Sequence, residues 1–349
     1  MSEPSPTSAL RGRLLRFGAA VAVLFALAGY LAVQYLTGGT GVPRCRVLSG
    51  KPDDASYAFT PEQAANAATI SAVGTSRGLP ERAVTIALAT SLQESGLRNI
   101  QHGDRDSLGL FQQRPSQGWG TTKEIMDPAY AAGAFYEHLA KVPDYTRLPL
   151  TVAAQRVQRS GFPQAYAKHE PDATLLAAAL TGRSAAALTC EGEPAPTRVG
   201  GPDSVRAALV RDFGHDVLQE AGAEVPAQGS SDAPADTSSA SSSASASRAP
   251  SPSSAAPAAG APPTTAAGRT VTVPVGEDAS AGAAVVRRRG WEVAQWAVAN
   301  SAALHIEQVS YAGREWTAGR RHGEWRASGA PSGPATERAA TEVRIVTAQ

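Results

Sequence analysis

The 349-residue chain is short of the residues from which most cofactor sites are built. It has two cysteines, Cys45 and Cys190, and six histidines, His102, His138, His169, His215, His305 and His322. The cysteines lie far apart and no two histidines stand at i, i+3 or i+4. Zinc-finger, zincin, c-type haem and iron–sulfur sites therefore fail on spacing. No GxxxxGKS or GxGxxG loop occurs, which leaves nucleotide chemistry without support. Charge of either sign in excess is also missing. Lysine plus arginine total 32 against 31 for aspartate plus glutamate, so a strongly basic nucleic-acid binder is not expected. Aromatics are only 6%, and much of the 42% apolar share is alanine. The expectation is a chain with no metal, no cofactor and no nucleic-acid partner.

One long apolar run is present. Residues 1–16 are polar and contain Arg11, Arg13 and Arg16, and Phe17 to Leu36 follows as 20 residues without a charge. That is about the length that crosses a bilayer as a helix. The arginines before it predict a cytoplasmic tail over 1–16, a single-pass anchor over 17–36 and extracytoplasmic domains after it. The alternative is a secreted protein, with an h-region from Phe17 to Phe25 cleaved near Ala28 at Ala26-Leu27-Ala28. Both readings export the rest of the chain. In an oxidising compartment Cys45 and Cys190 most simply form one disulfide that ties the ends of residues 46–189 together. Two free buried thiols are the alternative.

Beyond the anchor the chain divides by composition. Residues 45–190 carry helical patterns and read as all-α. Thr60-Pro61-Glu62-Gln63 has the form of a helix start, with Thr60 as N-cap, Pro61 at N1 and Gln63 closing a capping box. Pro80 opens a second helix through Glu94 whose middle is apolar or small on every side, which marks it as buried and central. Asp127-Pro128, Thr151 and Pro171 start three more. Residues 200–225 are expected to form a helical segment with Val205, Leu209 and Phe213 on one face; either it packs with the C-terminal module, which makes 226–268 an insertion, or 226–268 is an interdomain linker. Residues 226–268 are low complexity: 39 of 43 are Ser, Ala, Pro, Thr or Gly, which is too little apolar surface for order. Residues 269–349 read as a small α+β module. Val271, Val273 and Val275 alternate as a strand, Trp291 to Leu304 fits a helix, and strands are expected at Val309/Tyr311, Trp316 and Val343/Ile345. Four of the five tryptophans lie there, more consistent with a core than with a ligand platform. Arg287-Arg288-Arg289 reads as a solvated basic face, with contact to anionic wall polymers as the alternative.

Glu94 is the residue whose position carries chemistry. It ends the buried helix, and Ser95-Gly96 break it. Burial and the negative end of the helix dipole both disfavour the carboxylate and raise its pKa. A glutamic acid protonated near neutral pH is what a general acid needs to protonate a glycosidic oxygen.

The stretch LQESGLRNIQHGDRDSLGLFQQRPSQGWG, Leu92 to Gly120, resembles the SLT-type lytic transglycosylases within the lysozyme-like superfamily. Their pattern is Glu-Ser at a helix end, a loop, and Gly-Leu-Met-Gln about fifteen residues after the Glu. Here Glu94-Ser95 is followed by Gly109-Leu110-Phe111-Gln112, with Gly109 15 residues after Glu94. The resemblance covers about residues 45–190 and implies a mainly α, lysozyme-like domain acting on peptidoglycan glycan strands. It makes Glu94 the catalytic acid, and Gln112 and Phe111 the residues lining the sugar site. Gln113 and Trp119 add an amide and an indole suited to sugar hydroxyls and a pyranose face. Across Thr151 to Glu170, Gln158 falls on the family's Asn and Tyr166 near its later Tyr. Val157 stands where the active-site Tyr is expected; Tyr130, Tyr136, Tyr145 and Tyr166 are the substitutes available.

Two outcomes follow. In the first, the chain is a membrane-anchored enzyme of the cell wall, a lytic transglycosylase or muramidase. In the second it is a catalytically silent peptidoglycan-binding scaffold. A two-carboxylate hydrolase would need a partner for Glu94. Asp106 is the candidate second carboxylate, whereas Asp104 reads as a loop-shaping residue. A transglycosylase needs no partner, because the sugar's own 6-hydroxyl closes a 1,6-anhydro ring.

Overall fold

The computed structural model describes residues 44–50, 55–162, 164–191, 200–219, 266–275, 282–319, 323–328 and 341–348, together with Leu24, Ala28 and Gly29. Two antiparallel sheets and a set of helices share these residues. The first sheet joins β1 (Arg44–Leu48), β2 (Ser56–Phe59) and β3 (Leu188–Glu191) in the order β2-β1-β3. Register sets Cys45 opposite both Phe59 and Cys190. Cys45 and Cys190 are disulfide-bonded, with Cα atoms 3.9 Å apart. This is closer than the roughly 4.4–6.8 Å usual for a disulfide, and the two residues face each other across one strand pair.

Helices α1 (Pro61–Ser76) and α2 (Glu81–Ser95) follow. The start of α1 is the expected capping box: Gln63 N donates to Thr60 Oγ1 at 3.3 Å and Thr60 N to Gln63 Oε1 at 2.8 Å. α2 is central, with Ala83 through Leu92 buried. Around it lie α3 (Thr122–Ile125), α4 (Pro128–Ala140), α5 (Leu150–Gln158) and α6 (Glu170–Leu180), and α6 runs along α2. Asp127 caps α4 through the backbone N–H groups of Ala129 and Tyr130, and Pro171 sits in the first turn of α6. α5 begins one residue ahead of Thr151, after Pro149.

The second sheet has the order β4-β8-β5-β6-β7, from β4 (Thr270–Pro274), β5 (Ile306–Tyr311), β6 (Arg314–Thr317), β7 (Arg326–Ala327) and β8 (Glu342–Thr347). A 17-residue helix, which we number α9 (Ala283–Ala299), lies against it and is itself packed on α1, α6 and β3. α7 (Pro202–Phe213) joins α1 to β4, and two single-turn helices, α8 (Asp216–Gln219) and α10 (Ser301–Leu304), complete the set. One apolar core runs from Val47 and Ile86 through Trp296 to Ile345.

Three expectations change. The all-α reading of residues 45–190, and with it the mainly α fold class, gives way to mixed helix and sheet. Strands of four or five residues close the ends of that region. They are too short to show a period in sequence, and the disulfide and the core beneath hold them. The C-terminal module is not set apart, because α9 begins at Ala283, earlier than expected, and buries its apolar face against both regions. The third change concerns the membrane. Among the described residues no helix is long and apolar enough to cross a bilayer. The longest of them, α9, has 17 residues and carries Arg287, Arg288 and Arg289. The transmembrane helix and the single-pass membrane localisation are therefore not carried forward. Apart from Leu24, Ala28 and Gly29, the run 17–36 lies outside the described residues, as do the tail 1–16 and, up to residue 265, the low-complexity segment.

Candidate functional site

Glu94 reaches the last turn of α2 through a chain of local causes. Gly96 ends the helix in the left-handed region (φ 64°), returning its N–H to Leu92 O, while Leu97 N donates to Ser91 O at 3.2 Å. α1 pins that turn from outside: Gln63 Nε2 donates to Gly96 O at 2.7 Å and Asn66 Nδ2 to Leu97 O at 2.9 Å. Ser91 and Ser95 are one helical turn apart and share a face. Both hydroxyls donate to Leu110 O, at 3.1 and 2.8 Å. The serine after the glutamate is therefore the bolt between helix end and Gly-Leu-Phe-Gln turn.

The turn itself closes between Leu108 and Gln113, whose backbones exchange hydrogen bonds of 2.9 and 3.0 Å. Gly109 is required there. Its φ is +72°, and a Cβ would stand 2.7 Å from Ile125 O. Gln112 also takes a positive φ (49°), which throws its side chain forward. Gln112, Gln113, Trp119 and Gln158 line a cleft of about 940 Å³ together with Glu94. Gln113 is held at the wall, its Nε2 donating to Ala131 O at 3.0 Å.

Glu94 is half-buried in this cleft. Tyr166 Oη donates to Glu94 Oε1 at 2.7 Å. Gln158 also hydrogen-bonds the carboxylate, and its Nε2 donates to Phe111 O at 2.8 Å. Burial pushes the Glu94 carboxyl above its ordinary value, and the Tyr166 and Gln158 bonds pull it partly back. Tyr166 is fully buried; burial and the bond to Glu94 push its phenol upward, so it stays a donor. Among the four tyrosines offered as substitutes for the one missing at Val157, Tyr166 is the one the structure places on Glu94. Val157 itself lines the cleft beside Gln158.

Two expected residues do other work. Phe111 is fully buried and stacks on Phe135 with ring centroids 4.7 Å apart, so its side chain is core and its carbonyl serves the site. Asp106 does not line the cleft. It is held by Arg114 Nε at 2.7 Å and the Ser116 N–H at 2.8 Å. Arg114 and then Ser116 hold its carboxyl well below the usual carboxylate range. Asp104 does line the cleft, with its side chain almost fully exposed.

Four more residues of the cleft stand in no sequence motif: His138, Lys141, Arg156 and Arg159. His138, in the last turn of α4, stacks on Trp119 with ring centroids 4.2 Å apart. Burial, then the charge of Lys141, push its imidazole below the ordinary value, with Arg159 adding to the effect. Lys141, Arg156 and Arg159 line the same cleft. The signal available was positional: basic residues end both α4 and α5. Among the described residues no group of three or more His, Cys, Asp and Glu side chains could hold a metal ion.

Residues 250–339 are similar to a family model described as the VldE C-terminal domain, about a quarter of the chain and none of the cleft. No curated protein matches the chain.

Proposed function

We propose that this chain acts on peptidoglycan glycan strands as a lytic transglycosylase, with Glu94 as its acid and then its base. The observation that carries this is a half-buried Glu94 at the wall of an open cleft, its carboxyl raised by burial and oriented by the Tyr166 hydroxyl. A carboxyl held protonated can give its proton to the glycosidic oxygen as the bond breaks. The resulting carboxylate, still steered by Tyr166 and Gln158, can then take the proton of the sugar's 6-hydroxyl as the 1,6-anhydro ring closes. The fold-back of Gly-Leu-Phe-Gln onto Ser95, and the amides of Gln112 and Gln113 beside the acid, support the same reading. The disulfide fits an oxidising compartment.

The engagement of Asp106 with Arg114 favours a single-carboxylate mechanism over a muramidase that uses Asp106. The silent-scaffold alternative rests on Val157 and on the lack of an assured second carboxylate; the Tyr166 hydrogen bond to Glu94 answers the first, and a transglycosylase does not need the second. The test is to incubate the purified full chain with purified peptidoglycan and analyse soluble muropeptides. Products with 1,6-anhydro ends are expected. Reducing ends would mean hydrolysis, and strands bound but uncut would establish the scaffold.

A further inference from the structure

The cleft is unbalanced in charge although the chain is not. Its walls carry Arg105, Arg114, Lys141, Arg156 and Arg159 against Glu94 and Asp104, whereas the whole chain has a formal net charge of +1. Two of these cations are answered within the protein. Arg114 pairs with Asp106 at 2.7 Å, and Arg105 stands 4.0 Å from Asp104. Lys141, Arg156 and Arg159 are exposed and make no ion pair among the described residues.

A basic residue near a helix C-terminus has an ordinary explanation in the helix dipole. That explanation covers one residue on each helix. It does not bring Lys141 from the end of α4 and two arginines from the end of α5 into one cleft. The cleft also contains the stacked Trp119–His138 pair, aromatic surface suited to a pyranose face. Clefts lined by one sign of charge concentrate ligands of the other sign. A neutral polysaccharide gives these cations nothing to pair with.

We infer that Lys141, Arg156 and Arg159 read carboxylates on the strand in the cleft, and so set its preference for acid-bearing over neutral strands. This rests on the glycan-cleaving reading above and adds to it the residues that set its specificity. The sugar ring lies on Trp119, and the acidic substituent of that sugar or its neighbour meets the three cations. Two sources supply the same chemistry: the free carboxylates of a peptide stem, and the lactyl carboxylate left when the stem is removed.

The test measures binding in a Glu94→Gln background, so that strands are not cut, with three probes. These are strands bearing peptide stems, strands stripped by an amidase, and the neutral hexamer of N-acetylglucosamine. Expected is tighter binding of at least one acidic probe than of the hexamer, with affinity falling steeply as salt rises. Lys141→Gln/Arg156→Gln/Arg159→Gln should weaken that probe about tenfold and leave the hexamer unchanged. Loss for stem-bearing strands alone assigns the stem carboxylates, loss for stripped strands alone assigns the lactyl carboxylate, and loss for both shows that the three cations read either. Equal affinity for all three probes with no salt dependence overturns the inference, and that readout needs no variant to fold. So does a triple variant that keeps its melting temperature and binds every probe as its parent does. If the parent binds none of the three, the glycan-cleaving reading itself falls and the inference with it.

Discussion

The cleft and the seam beneath α9 handle buried polar groups in opposite ways. In the seam Gln295, Asp212, Glu292 and Arg288 are all satisfied within the protein. Gln295 is fully buried, and its Nε2 donates to Ala179 O at 2.7 Å and Ser184 O at 3.0 Å. Its Oε1 accepts from the N–H groups of Ala187 and Leu188, both at 2.9 Å. Asp212 accepts from Thr69 at 3.0 Å and from Trp296 Nε1 at 2.8 Å, and pairs with Arg211 at 2.7 Å. Glu292 pairs with Arg289 at 3.1 Å and accepts from Thr75. Arg288 donates to Thr181 O at 2.9 Å, and Arg289 lies over the Phe213 ring. In the run Arg287-Arg288-Arg289, Arg287 and Arg288 are solvent-exposed as expected, and Arg288 and Arg289 also clamp the two regions together. Gly182 belongs to the same seam: its φ is +71° and a Cβ there would run into Arg288 O. In the cleft, by contrast, Glu94 keeps one partly exposed carboxyl and three cations have no acid. Satisfied charge builds the scaffold; unsatisfied charge at its edge is available to a ligand.

The sharpest way to break this comparison is to remove the proton from the cleft while leaving its shape. Glu94→Gln should lower strand cleavage by about 10²–10⁴-fold. Its melting temperature should stay close to the parent's, because no bond of the seam involves Glu94. Residual cleavage at the parental rate would refute the assignment of the acid.

The matching cut in the seam is Asp212→Ala. It leaves the Thr69 hydroxyl, the Trp296 indole N–H and the Arg211 guanidinium without their shared acceptor. Breaking a buried charged pair by removing one partner costs about 3–5 kcal/mol. Thermal unfolding should show a drop on the order of 10 °C in Tm. Well below that temperature, glycan binding in the cleft should be unchanged. Loss of binding with an unchanged Tm would reverse the roles assigned to the two regions.

Between these lies the strap that closes the seam side. β3 is backed by Trp325, whose Nε1 donates to Leu188 O at 2.9 Å, and is tied to β1 by Cys45–Cys190. Cys45→Ser/Cys190→Ser should cost about 2–5 kcal/mol, measured by denaturant unfolding. Quantitative labelling of two thiols in the native, oxidised chain would show the bond to be absent.

The same contrast explains what could be seen in the sequence. Helix starts were legible because their causes are local: Thr60 and Gln63 cap within one turn. Glu94 was legible because its apolar helix and the spacing to Gly109 are contiguous features. In the second sheet β4, β5 and β8 showed through the alternation of Val271 with Val273, Val309 with Tyr311 and Val343 with Ile345, whereas the two-residue β7 did not show. The seam was not legible, because the bonds by which Gln295 and Asp212 tie the regions together reach partners more than 80 residues away, and a polar residue in a helix carries no mark of that. For the same reason Tyr166 could be offered only as one of four tyrosines: its partner lies 72 positions earlier. Phe111 was misread because a residue inside a site motif can serve through its carbonyl while its ring fills the core.

The smallest expected effect tests how the cleft holds its one acid. Tyr166→Phe keeps the buried ring and removes the hydroxyl that donates to Glu94 Oε1. A donor to a carboxylate favours the charged form, so its loss raises the Glu94 pKa beyond the rise that burial already causes. Glu94 must be protonated to act as the acid. Activity is therefore present below its pKa and lost as pH rises through it. The alkaline limb of the cleavage profile should move to higher pH in Tyr166→Phe, and the plateau rate should fall by about tenfold or less as the carboxyl loses its orientation. Unfolding experiments should show only about 1–3 kcal/mol lost, the cost of one unmade hydrogen bond. A tyrosine that merely filled space would leave the limb where it is. A limb that shifts to lower pH would mean that Tyr166 stabilises the neutral acid, and that the hydrogen bond runs the other way.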